Sequence, residues 1–219
     1  MESDSTPLDA GELLVALARH EVDCVLIGGT AMQVHGHART TQDVDVVAAW
    51  TPANMRALAG ALDELDAKLR GVDAELLGIG LNDPQQLYDG GNFMLHTRFG
   101  DLDVFAAEQT AGAPPYEQLR ASAMAIEIRG ARLQIANPED LIRMKTAASR
   151  FRDRPEAKRR QDLDDIAMLE QLRAKQDASS ASRLLDATRD QSAASGRGET
   201  ARPRPARTSA RPPQDLDRG

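Results

Sequence analysis

Cysteine is almost missing: the 219-residue chain has one, Cys24, so no intramolecular disulfide can form. It lies in the run Val22-Asp23-Cys24-Val25-Leu26-Ile27, which reads as a strand with the thiol in the core and points to a reducing, cytoplasmic setting. Aromatics are scarce, 3% of residues with one Trp, two Tyr and four Phe. Trp50 then has no companions with which to form a stacking platform, which argues against reading single strands through aromatic rings. No run of about 18 apolar residues occurs, and Met1-Glu2-Ser3-Asp4-Ser5 is polar and acidic where a leader would be apolar. The chain reads as neither exported nor membrane-spanning. Basic charge is in deficit, 27 Lys and Arg against 34 acids for a net charge of -7, which excludes coating of nucleic acid by bulk electrostatics.

Contact with a polyanion therefore has to be local, and one segment supplies it. Arg143, Lys145, Arg150, Arg152, Arg154, Lys158, Arg159 and Arg160 stand against only Asp153 and Glu156. A solvated helix face is the plain alternative for such a run.

The length suits one or two compact domains. Asp9-Ala10-Gly11-Glu12 has the spacing of a reciprocal helix cap, with Leu13, Leu14 and Leu17 on one face. Cys24 to Ile27 predicts a buried strand, and Gly28-Gly29 a strand-to-helix turn ahead of one or two helical turns over Thr30 to His35. In Gln42-Asp43-Val44-Asp45-Val46-Val47 strict alternation puts Asp43 and Asp45 on one strand face and Val44 and Val46 on the other. Thr51-Pro52 opens a helix whose apolar period runs through Met55, Leu58, Ala59, Leu62, Leu65 and Leu69. Strands are predicted over Asn92 to Thr97 and Asp101 to Ala106, then over Ala123 to Ile128 and Leu133 to Ile135 around Arg129-Gly130.

Asn137-Pro138 caps a helix carrying Lys145. Pro155-Glu156 opens another, with Leu163, Ile166, Ala167, Leu169 and Leu172 as its apolar stripe and Asp162 and Asp165 three apart. From about Asp177 the composition turns to Ser, Ala, Arg, Gly and Pro, and disorder is expected. The expected organisation is a catalytic domain over 1–136, a helical subdomain over 137–176 and a disordered tail over 177–219. The tail arginines Arg202, Arg204, Arg207 and Arg211 are read as solubilising.

The chemistry lies in the middle strands. Transfer of phosphoryl or nucleotidyl groups needs divalent cations at the reacting phosphorus, to neutralise charge on its oxygens. Mg2+ takes hard oxygen ligands, and carboxylates one residue apart on a strand project side by side to hold it. Asp43 and Asp45 have that geometry, and their mutual repulsion is costly without a cation between them. Gly28-Gly29-Thr30 adds a place where backbone can approach a phosphate closely, although Gly-Gly alone marks many tight turns. His35, His37 and His96 lack companion ligands at metal spacing and read as packing or hydrogen-bonding residues.

Together, Ile27-Gly28-Gly29-Thr30, Asp43-Val44-Asp45 and Leu102-Asp103-Val104, with thirteen residues between Gly29 and Asp43, resemble the nucleotidyltransferase superfamily of the DNA polymerase β type. The resemblance implies an α/β (α+β) fold with a mixed sheet and flanking helices. It also implies Asp43, Asp45 and Asp103 as ligands of Mg2+ or Mn2+, with Asp103 a possible base for an acceptor hydroxyl. Asp101 shares a face with Asp103, so the third carboxylate is one of these two. Glu139-Asp140-Leu141-Ile142-Arg143-Met144-Lys145 and Arg160-Gln161-Asp162-Leu163-Asp164-Asp165-Ile166 look like the C-terminal motifs of AbiEii-type toxins of type IV toxin–antitoxin systems. That likeness places Gly28, Gly29, Thr30 and Lys145 at the NTP, and Asp162 or Asp165 behind Lys145 or another base at the nucleotide site.

The activity this implies is transfer of an NMP from an NTP to an acceptor hydroxyl with release of pyrophosphate. The favoured acceptor is a tRNA 3′ end, in a toxin with a cognate antitoxin partner. A protein hydroxyl, as in antitoxins that AMPylate a partner toxin, and a small molecule such as an aminoglycoside are the alternatives. A catalytically silent binding module belongs to another class, and retention of all three acids speaks against it.

Overall fold

The computed structural model describes residues 6–71 and 80–195, with side chains through residue 179. Its residues Met1–Ala174 form one compact unit. Asp9 caps α1 (Ala10–Arg19), its carboxylate accepting from the Glu12 N–H at 3.1 Å. The cap is not reciprocal: the Glu12 carboxylate pairs instead with Arg129 at 2.6 Å, because a full guanidinium attracts it more than a backbone N–H does. Leu13, Leu14 and Leu17 are buried, as the helical period requires.

Strand β1 (Cys24–Ile27) is buried throughout. It runs into α2 (Gly28–Val34), whose first two residues are the glycines, so these open the helix rather than precede it. In β2 (Asp43–Ala48) Val44 and Val46 are buried and Asp43 and Asp45 half-buried. Thr51 caps α3 (Pro52–Glu64), with Met55, Leu58 and Leu62 in the core. The expected period breaks before Leu69. Asp66 adopts a left-handed conformation, φ 52°, which ends the helix and sends Leu69 into the two-residue strand β3 (Lys68–Leu69).

After α4 (Pro84–Asp89) come β4 (Phe93–Thr97) and β5 (Gly100–Ala106). Then follow α5 (Tyr116–Ser122), β6 (Met124–Ile128) and β7 (Ala131–Ile135). Among the described residues the strands form one mixed sheet in the order β3-β4-β5-β2-β1-β7-β6. At its centre β2 pairs antiparallel with β1 and parallel with β5, in a register that sets Asp45 beside Asp103 and Asp43 beside Asp101. Parallel neighbours share a face, so all four carboxylates lie on the same side of the sheet. The opposite face supplies Val44, Val46, Leu102 and Val104 to a core shared with α1 and α3.

Helix α6 (Pro138–Ser149) is capped by Asn137, and α7 runs over Glu156–Ser195. Leu141 and Met144 of α6 and Leu169 of α7 belong to the same core cluster as the sheet. Among the described residues, the helical region expected as a subdomain from 137 thus shares the core of the sheet. The inward face of α7 is also not the expected one. Asp162, Asp165 and Leu169 are buried, whereas Leu163 is 53% exposed and Ala167 lies on the surface. Burial of two carboxylates is explained by the cations that meet them.

The second unit is Lys175–Gly219. Its described part is helical as far as Ser195, so the tail expected from 177 begins as helix; Arg202, Arg204, Arg207 and Arg211 lie outside the described residues. Among the described residues no helix is long and apolar enough to cross a membrane.

Candidate active site

Three carboxylates converge where the centre of the sheet meets the start of α2. Asp43, Asp45 and Asp103 each offer an oxygen within 4.8 Å of the others'. Asp101, on the same face, is held away by Arg70 at 2.9 Å and His96 at 2.7 Å. Of the two carboxylates on β5, Asp103 therefore completes the cluster. Its Oδ1 is paired with Arg70, which leaves the second oxygen free of that ion pair.

Each acid has its own setting. The Thr41 hydroxyl donates to Asp43 Oδ1 at 3.0 Å and orients that carboxylate. Asp45 is pushed up from the ordinary carboxylate range to about 7 by burial, then by the charges of Asp43 and Asp103, against a hydrogen bond from the Gly29 N–H and the pull of Lys145. Burial also raises Asp103, with Asp43 and Asp101 adding to the shift and Arg70 opposing it. Three hard oxygen donors that repel one another as anions fit a divalent cation of the Mg2+ or Mn2+ kind.

The folded-state pKa of Asp45 lies above its unfolded value, so the stability tied to its proton is present below about pH 4 and lost as pH rises through about 7. A divalent cation held by the three carboxylates would take the place of that proton. Millimolar Mg2+ is therefore expected to raise the melting temperature by several degrees at pH 8 and far less at pH 5, as read by thermal unfolding with and without the ion.

The glycines have separate duties. Gly28 sits at φ +64°, and a β-carbon there would fall inside the Asp45 carboxylate. One on Gly29 would collide with the Thr41 hydroxyl and lie 2.7 Å from Arg39 Nη2. Thr30 is placed differently from the sequence expectation. It is buried, its hydroxyl donates to the Asp43 carbonyl at 3.1 Å, and so it pins β2 to α2 rather than facing the cleft. Gly28→Ala is expected to cost about 2 kcal/mol or more in stability, from the left-handed backbone plus the collision, and to lower activity at least about 100-fold. Thermal unfolding and initial rates check both.

Opposite the acids stands Lys145 of α6. Its Nζ is 2.6 Å from Asp165 Oδ2 and 3.6 Å from Asp162 Oδ1, so both aspartates of α7 stand behind it. Asp162 also receives Arg154 at 2.7 Å, while His37 and Arg39 approach Asp165 at 3.4 and 3.5 Å. One cleft of ≈ 760 Å³ is bordered by Gly28, Gly29, Asp43, Asp45, Asp103 and Lys145, and also by Asp162. Asp165 is fully buried behind its wall.

The sequence matches, over residues 12–218, the family described as "Nucleotidyl transferase AbiEii toxin, Type IV TA system". The chain belongs to the AbiEii nucleotidyltransferase family. No curated protein matches it significantly in sequence. Among solved structures, the antigenic nucleotidyltransferase-like protein from Paracoccidioides brasiliensis is similar at 22% identity and TM-score 0.45, over 74% of this chain and 77% of that one. The antibiotic-resistance factor ANT(2'')-Ia is similar in its solution structure at 16% identity and TM-score 0.46, over 82% of this chain and 95% of its own. Its complex with adenylyl-2''-tobramycin gives 16% and 0.44 over 78% and 96%.

This AbiEii-family nucleotidyltransferase has site residues that sequence reasoning left without a role. Arg39 and Thr41 stand just before Asp43-Val44-Asp45 in sequence, but only the fold shows them beside Gly29 and Asp43. Arg70 follows an edge strand, and no local pattern ties it to Asp103. Phe151, 54% exposed, borders the cleft together with Phe105, so aromatic rings do stand at the site. The histidines are held by polar contacts: His35 to the Ala136 carbonyl at 2.9 Å, His37 to Asp165 and His96 to Asp101.

Proposed function

We propose that the protein transfers an NMP from an NTP to the terminal hydroxyl of a tRNA 3′ end, with Mg2+ or Mn2+ at Asp43, Asp45 and Asp103. The observation that carries the reaction is the sharing of one cleft by the three carboxylates and Lys145. A divalent cation held there supplies neutralisation of the charge on the transferring phosphate. The Gly28-Gly29 backbone and Lys145 bind the triphosphate from two sides, and Asp162 and Asp165 hold Lys145 extended toward it. The acceptor oxygen forms a bond to the α-phosphorus as the bond from that phosphorus to the bridging oxygen breaks, and pyrophosphate leaves with the electron pair. The hydroxyl proton passes to Asp103, whose burial makes it more basic than an ordinary carboxylate.

The acceptor is argued from the mouth of the cleft. Phe151 offers an exposed ring to a terminal base, and Lys158 at the cleft with Arg150, Arg152 and Arg160 on the surface of the same segment offers cations to a phosphodiester chain. A ring flanked by such a run of cations suits a polyanion that carries bases better than a protein hydroxyl or a polycationic aminoglycoside. The family's toxin–antitoxin setting implies an antitoxin as partner.

The test is incubation with Mg2+, each α-labelled NTP and total tRNA. Label on tRNA that disappears when the 3′-terminal diol is first oxidised with periodate supports this acceptor. Label on protein, or on tRNA regardless of oxidation, refutes it.

A further inference from the structure

The wall of the cleft opposite the acids carries more positive charge than its own structure neutralises. Asp162 and Asp165 are 2% and 0% exposed. Three permanent cations meet these two carboxylates: Lys145 meets both, Arg154 meets Asp162 and Arg39 meets Asp165, with His37 also beside Asp165. Two carboxylates against three permanent cations leave this wall one positive charge in surplus, across the cleft from Asp43, Asp45 and Asp103. Lys145 and Arg39, 11% and 16% exposed, are the buried members of the set, where a charge held for structure alone would be costly without its own partner.

Arg39 is the member least explained by structure. Its backbone is fixed, the Gln33 amide donating to its carbonyl at 2.7 Å. Its side chain is 16% exposed and reaches Asp165 only at 3.5 Å, and the buried Nε has no hydrogen-bond partner. Neither oxygen of Asp165 accepts an aligned hydrogen bond, so the carboxylate attracts the guanidinium without saturating its donors. At the other end Nη2 lies against Gly29, 2.7 Å from where a β-carbon would be. Arg39 borders both the catalytic cleft and the adjoining groove of ≈ 410 Å³.

We infer that Arg39 is a second triphosphate-binding residue, held beside the Gly28-Gly29 loop by Asp165 so that its guanidinium meets the terminal phosphates together with Lys145. This rests on the NTP-dependent reaction proposed above. The chemistry selects the ligand: a guanidinium with unused donors needs a multiply charged oxyanion, which its fork binds through two N–H groups at once. The nucleoside end of an NTP carries no such charge. Asp165 thus positions two cations, from α6 and from the loop before β2, around a single anion.

Calorimetric titration with each of the four NTPs in the presence of Mg2+, and with the monophosphate of the tightest binder, separates this inference from the reading beneath it. Arg39→Gln is expected to weaken NTP binding by about 10- to 100-fold and to change monophosphate binding by less than about twofold. Arg39→Lys, which keeps the charge and loses the fork, falls between. If the wild-type protein binds no NTP, the enzymatic reading fails and takes this one with it. If the wild type binds and Arg39→Gln binds equally well, or loses both ligands equally, Arg39 is not a triphosphate ligand. Should Arg39→Gln not fold, Arg39→Lys carries the test: selective weakening of the NTP supports the inference, and NTP binding equal to wild type overturns it.

Discussion

Asp45→Asn abolishes nucleotidyl transfer, lowering kcat by about 1,000-fold or more, and at the same time raises the melting temperature of the metal-free protein at pH 8 by a few degrees. Both effects come from one arrangement. Three carboxylates brought within 4.8 Å repel one another, and burial holds Asp45 at a pKa of about 7. The amide removes a buried charge and its repulsion, which stabilises the fold. It also removes one of the three oxygen ligands proposed for the divalent cation. Rate measurements and thermal unfolding, both with and without Mg2+, check the pair of effects. A variant that loses activity together with stability would mean that Asp45 is there for structure.

Asp165→Ala has the opposite signature. Its carboxylate is fully buried and faces Lys145, Arg39 and His37. Removing it takes the counter-charge from Arg39 and leaves Lys145 with Asp162 alone, a loss of about 3–5 kcal/mol for a broken buried pair, or about 10 °C in melting temperature for a unit of this size. Lys145 also loses its closest anchor, so the KM for NTP rises by about tenfold or more. Asp165→Asn preserves the shape and loses less stability while still raising KM. Steady-state kinetics on the two variants separate the packing contribution from the positioning one, because only positioning is shared between them. A KM unchanged in both would show that Lys145 does not bind the triphosphate.

These expectations draw on features of unequal legibility. Alternation in Gln42-Asp43-Val44-Asp45-Val46-Val47 reveals which residues share a face, because a strand has a period of two and the valines fix its inner side. Gly28 is legible as a glycine between strand and helix, although its reason, the Asp45 carboxylate where a β-carbon would be, is not. The pairing of Asp103 with Asp45 depends on the register between β2 and β5, whose strands are separated by α3, β3, α4 and β4. Sequence spacing alone therefore leaves Asp101 and Asp103 equivalent. Arg70 pairs with both, and what distinguishes them is that Asp103 lies with Asp43 and Asp45 while Asp101 is also held by His96.

Long-range ion pairing is the common reason for the remaining gaps. The apolar period of α7 suggested an inward face with Leu163 and Ala167, yet Asp162 and Asp165 point in because cations from α6 and from the loop before β2 await them. Hydrophobic periodicity carries no information about such partners. The same is true of Arg39, which is adjacent to the acid motif in sequence but is defined by Asp165, far along the chain. Thr30 erred in the other direction: its place in the motif suggested a phosphate contact, and the short distance to the β2 backbone claims its hydroxyl.

A cleft that moves a nucleotidyl group acts on the α-phosphorus of the NTP and on no other, and one parallel reaction with α-labelled and γ-labelled NTP, Mg2+ and total tRNA reads out which phosphorus is transferred. Label from the α-position in the acceptor, with the γ-label released quantitatively as pyrophosphate, is the predicted result. Label from the γ-position in the acceptor, or its release as inorganic phosphate with nothing transferred, would contradict it.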